Sequence, residues 1–131
     1  MKGYLSILLS TITLSGCAMF AGIEDSVTDS IIIEKVDSRL ASVGNVTVTQ
    51  IESALRVRGE VIRKIAGRGP IYGHIHIEVL GADDRLLLDI GGDYRRRNTK
   101  VRSAGFSEML NIDAAAAKKV VVTHHARRHN Y

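Results

Sequence analysis

The sequence predicts an all-β fold, a single small antiparallel β-sandwich of six or seven strands. Apolar and polar residues alternate with period two over several short runs, the pattern of half-buried strands. Glycine, proline and paired acidic residues punctuate those runs as turn signals. Beyond the first 16 of the 131 residues, the remaining length suits one domain with one core.

Taken in order, Ile31-Ile32-Ile33 and Val36 favour a strand through β-branching. Ser26 to Asp29 also has capping-box spacing, and Ile32, Ile33, Val36 and Leu40 share a helical face, so residues 27–40 keep both readings, with the strand preferred. From Asn45 the alternation is plain: Val46 and Val48, then Leu55, Val57, Gly59 and Val61 against Arg56, Arg58 and Glu60. Gly67, Gly69 and Pro70 mark a turn region over 64–71. His74 to Val79 alternates again, and Gly81-Ala82-Asp83-Asp84 reads as a hairpin connection. Leu86, Leu88 and Ile90 carry the returning strand, which is expected to continue past Gly91-Gly92 with a bulge into Tyr94. Residues 104–110 and 120–125 supply two more strands. Between them, Asp113 to Lys119 predicts about one and a half helical turns with Asp113 as N-cap.

This pattern resembles sandwiches of immunoglobulin or fibronectin type III architecture. With no Trp and one Cys, the Cys-Trp-Cys core of antibody domains is excluded. Architecture of this kind does not set a function.

The most specific signal is at the N-terminus. Met1-Lys2-Gly3 starts positively, residues 4–14 are apolar but too few to span a bilayer, and Leu14-Ser15-Gly16-Cys17 follows. This resembles the lipobox of bacterial lipoproteins. The resemblance implies a signal peptide at 1–16, cleavage before Cys17, acylation (palmitate among the chains) of that cysteine, and a lipidated tether over 17–26 ahead of the sandwich at 27–131. A plain secretory signal cut near Ala18, Ala21 and Gly22 is the nearest competitor. Residues 18–26 extend at most about 30 Å, which keeps the domain near its membrane. Ala18, rather than Asp, follows the cysteine; by the sorting pattern of such lipoproteins this implies the periplasmic face of the outer membrane rather than the inner membrane.

Two groups of side chains carry chemistry. His74, His76 and Glu78 fall on one face of a strand, with Ile75, Ile77 and Val79 on the other. If the last strand lies beside them, His124 or His125 joins the row, and His129 follows. Neutral imidazole ligates Zn²⁺ or Cu²⁺, and a carboxylate completes such a set; the plainer reading is a polar β face. The second group is Arg95, Arg96, Arg97, Lys100 and Arg102, a basic run suited to lipid phosphate or an acidic partner, or to a solvated edge that resists aggregation.

Other chemistries are poorly served. A net charge of +4 with only two Phe and four Tyr does not argue for nucleic acid. Gly67-Arg68-Gly69-Pro70 lacks a phosphate-loop ending, Asp83-Asp84 lacks the ligands of a calcium loop, and Ser103 and Ser107 sit on no nucleophile elbow. The expectation is therefore a lipid-anchored envelope lipoprotein, not an enzyme. It would act as a binding or assembly module for an envelope protein, without a cofactor. A periplasmic Zn²⁺- or Cu²⁺-binding domain is the alternative.

Overall fold

In the computed structural model, the described residues are 30–67, 69–96 and 100–127, together with the backbone of 25–26. The period-two runs form strands close to where the sequence places them. These are β1 (Asp25–Ser26), β2 (Ile32–Val36), β3 (Ala41–Ile51), β4 (Ala54–Arg63), β5 (His74–Leu80), β6 (Leu86–Gly92), β7 (Ser103–Leu110) and β8 (Lys119–His125). Seven have five or more residues; β1 has two. They build one sheet in the order β1-β3-β4-β7 and a second in the order β2-β8-β5-β6.

The core lies between the sheets. Ile75, Ile77 and Val79 of β5 meet Leu55, Val57 and Val61 of β4, with Val48, Val120 and Val122, and all are fully buried. Each such side chain contributes about 1.5–3 kcal/mol relative to exposure. In β3, Val43 and Val48 both face inward although their spacing is odd. A bulge between Gly44 and Thr47, with Asn45 at φ 47°, resets the alternation. Phe106 of β7 packs over Gly59 of β4, filling the place a Cβ would need.

Consecutive strands β4 and β5 lie in opposite sheets, and each pairs antiparallel with a later strand, β7 and β8 respectively. With the β5–β6 hairpin this matches the immunoglobulin and fibronectin sandwich pattern. The all-antiparallel expectation needs one correction. β2 pairs parallel with β8, from Ile32 beside Lys119 to Val36 beside Thr123. Both strands start from the same end of the sandwich, so they run the same way.

Three smaller corrections follow. β1 takes Asp25 and Ser26, the last two residues of the expected tether, and pairs them with Gln50 and Thr49. β6 ends at Gly92; its bulge lies at the other end, against Val79/Leu80, and Arg95 instead bridges Gly105 of the opposite sheet. Residues 113–118 form a turn rather than a helix. Asp113 Oδ1 does accept the Ala115 N–H (3.0 Å), as an N-cap would. However, Ala117 is buried in the core, and the Lys118 N–H goes to the Leu80 carbonyl (2.8 Å). Sheet bonding takes the groups a second helical turn would need.

The described residues of the connections, 37–40, 64–67, 69–73, 93–96 and 100–102, gather with residues 126–127 at one end, called the tip. The connections 52–53, 81–85 and 111–118 gather at the other, the base. Gly73, at φ 122° on the tip, sits where a Cβ would overlap the His125 carbonyl oxygen. Gly73→Ala is therefore expected to cost at least about 2 kcal/mol. Gly91→Ala, with open space around it, is expected to be close to neutral. Thermal unfolding of the two variants checks this contrast.

Candidate functional site

β5 carries its histidines outward because its isoleucines and valine are held inward. His74, His76 and Glu78 are half-buried on the outer face of the sheet, as the alternation predicts. β8 lies beside β5 in the register His74–His125 and His76–Thr123. The rings of His74 and His125 stack with centroids 5.2 Å apart, and His76 meets His125 edge-on at 5.7 Å. On the other side of β5, His76 Nε2 contacts Asp89 Oδ1 of β6, an ion pair when the ring is protonated. Three imidazoles and one carboxylate thus share a small patch near the tip. Among the described residues, no three His, Cys, Asp or Glu side chains converge on a point that could hold a metal ion.

His124 does not join that row. It is one residue from His125 and so on the opposite face of β8, where it is only 2% exposed. Its hydrogen bonds define its state. The Tyr94 hydroxyl donates to the Ile71 carbonyl (3.0 Å), so its oxygen accepts from His124 Nε2–H (3.1 Å). His124 Nδ1 then accepts the Ser38 hydroxyl proton at 2.7 Å. The Ser38 oxygen in turn accepts the N–H groups of Leu40 (3.0 Å) and Ala41 (3.2 Å). This network assigns the neutral Nε2–H tautomer. It ties β8 to three of the tip connections. Burial, then the neighbouring His125 and His74, hold the His124 imidazole below the ordinary histidine pKa; Lys64 adds to this and Asp37 opposes it.

Ser38 with His124 has the look of a nucleophile and base, yet the bonding runs against that use. Two backbone donors occupy the serine oxygen, and the far ring nitrogen meets a tyrosine rather than a carboxylate. No feature of the sequence marked this contact, because Ser38 and His124 are 86 residues apart.

The basic run is split by the fold. Arg95 bonds through its backbone to Gly105 (2.9 and 3.0 Å), which turns its side chain toward the outer face of the β1-β3-β4-β7 sheet. There it borders an open trough of about 780 Å³ with Asn45, Thr47, Arg58, Glu60 and Ser107. Arg96 is half-buried and donates to the Val101 carbonyl (3.0 Å). Lys100 and Arg102 are exposed at the tip, and Arg102 donates to the Arg63 carbonyl (3.1 Å). Arg97, His129 and Cys17 lie outside the described residues. Among the described residues no helix is long and apolar enough to cross a membrane.

No protein-family model matches the chain, and neither a curated protein nor a solved structure matches it.

The buried imidazole makes stability depend on pH. Because the folded pKa of His124 lies below the unfolded value near 6.5, its contribution is complete above that value. It is lost as pH falls through the folded pKa. Asp37 acts in a separate, lower window. The Val43 N–H (2.9 Å) and then Lys64 (3.2 Å) hold its carboxyl below the ordinary 3.8, so its contribution is present above that value and lost below it. The unfolding midpoint is expected to fall between pH 7 and pH 5. His124→Gln should lose about 1–3 kcal/mol at pH 7 and flatten that slope. A slope unchanged in this variant would place the titration on another group.

Proposed function

We propose that the chain is a bacterial envelope lipoprotein, held by acyl chains on Cys17, whose sandwich acts as a non-enzymatic binding or assembly module on the periplasmic face of the outer membrane. The observation that supports this reading is the polarity of the fold. The chain enters the sandwich at the base, where β1 and β2 begin, and the exposed chemistry, basic and imidazole, collects at or near the opposite end. A domain tethered through its base holds that far end clear of the anchor, available for a second contact at the envelope. The bonding of Ser38 and His124 supports the non-enzymatic part, since both side chains are used to join connections. Its partner would be an envelope protein.

The reading is tested by labelling cells with a palmitate analogue and separating their membranes. The wild-type chain is expected to carry label and to fractionate with the outer membrane. Cys17→Ala should lose the label, and Ala18→Asp should move the protein to the inner membrane. An unlabelled wild-type chain refutes the proposal.

A second reading, Zn²⁺ or Cu²⁺ binding, is favoured by one observation: His125 stands beside both His74 and His76. For this, the rings would need to turn and His76 to leave Asp89. Calorimetric titration with either metal should then give stoichiometric, sub-micromolar binding that His76→Ala abolishes. Absence of binding to the wild-type chain disposes of this reading.

A further inference from the structure

The tip and the base carry opposite charge. Arg39, Arg63, Lys64, Lys100, Arg102 and Arg127 lie at the tip, where the acidic neighbours are Asp37, paired with Lys64, and Asp93. Glu52, Asp83, Asp84 and Asp113 lie at the base with Arg85 and Lys118. Several of the tip cations are bonded to carbonyl oxygens rather than to carboxylates. The Arg63 guanidinium donates to the carbonyls of Gly67 (2.9 Å), Gly69 and Pro70 (3.0 Å), and Arg102 to that of Arg63. A carbonyl fixes a guanidinium without neutralising it, so the tip is both rigidly arranged and positive.

Two large apolar side chains project from the same end. Ile65 is 60% exposed and Tyr72 is 67% exposed. They flank a cleft of about 190 Å³ lined by Leu40, Ala66, Pro70 and Ile71. Exposed apolar side chains are ordinary on a surface, and Ile32 and Leu86 are exposed at the base as well; what distinguishes the tip is that its pair stands among cations. A branched aliphatic and a tyrosine ringed by arginine and lysine match the water–bilayer interface. There the aromatic ring sits at headgroup depth and the cations meet lipid phosphate.

We propose that the tip docks on the surface of an anionic phospholipid bilayer, with Ile65 and Tyr72 entering the headgroup layer and the surrounding cations meeting phosphates. This goes beyond acylation at Cys17. Together the two contacts would make the domain lie along its membrane, held at the base by lipid and at the tip by side chains.

The chain has no tryptophan, so Tyr72→Trp supplies a single indole reporter at the contact. The full chain carrying this change together with Cys17→Ala, so that no acyl chain binds it, is mixed with vesicles of phosphatidylcholine alone or with phosphatidylglycerol added, and the indole emission is followed with and without brominated lipid. A blue shift and quenching that need phosphatidylglycerol and weaken as salt is raised support docking. In the same background, Arg39→Gln should lower vesicle affinity about fivefold and Ile65→Ser should reduce the shift. Both positions are exposed, so unchanged thermal midpoints confirm intact folding. No shift in the indole emission on anionic vesicles, or an equal shift on phosphatidylcholine alone, overturns the proposal and leaves the cleft to a protein partner. The anchoring reading fails separately: it predicts flotation of the acylated chain with phosphatidylcholine vesicles, whatever the indole reports.

Discussion

The arrangement of this protein depends on the alternation in β5. Its three inward side chains, Ile75, Ile77 and Val79, are fully buried, and it is bonded on both sides, to β8 and to β6. Slipping the register by one residue would drive His74, His76 and Glu78 into the core and expose the apolar set, so the position of β5 is strongly determined. β8 must then place Val120 and Val122 inward, and His124 with them. The same geometry sends His125 outward to stack on His74. Two adjacent histidines end in opposite environments because a strand has a period of two.

The inward histidine closes the tip. Ser38, Ile71 and Tyr94 come from three different connections, and His124 with its hydrogen-bond partners joins all three to the end of β8. A buried imidazole without such partners would be costly; with both nitrogens satisfied it fixes the geometry of the loops around it. The loop bearing Ile65 and Tyr72 starts beyond Arg63, whose guanidinium is bound to that loop's own carbonyls. It runs into Ile71, whose carbonyl is held by Tyr94. The exposed surface of the tip therefore rests on a neutral polar network beneath it, and protonating His124 would disturb that network.

Much of the sandwich was legible in the sequence because strand alternation is local. The alternation in β4 to β8 placed each strand to within a residue or two, and it set the histidine row of β5 on the outer face. What stayed hidden is non-local. The parallel partner of β8 is β2, about 87 residues earlier along the chain, and no periodicity encodes that choice. The Ala114–Ala117 run has high helix propensity, yet the bonds from Lys118 to Leu80 and from Ile32 to Lys118 capture the backbone first. The role of His124 was hidden for a similar reason. In sequence it is one of a polar pair, and only the register with β5 and the sheet opposite reveals that it has no access to solvent. The split of the basic run follows from Arg95 crossing to the other sheet, an event set by its bridge to Gly105.

The parallel β2 also explains why the two ends of the molecule differ. In the related sandwich pattern, the place beside this strand belongs to a C-terminal strand running antiparallel to it. Here an N-terminal strand occupies it, with Ile32 bonded to the Lys118 carbonyl and Glu34 paired with Lys119 across the strands (2.7 Å). Because β2 starts at the base, the segment leading into the domain arrives there. Because β8, the last strand among the described residues, runs toward the tip, those residues end at the tip. A C-terminal strand returning antiparallel in that slot would have brought the chain back to the base. The substitution of one edge strand for another thus places the start of β2 and the end of β8 at opposite ends of the sandwich. It also leaves the basic end at the opposite end of the sandwich from the start of β2.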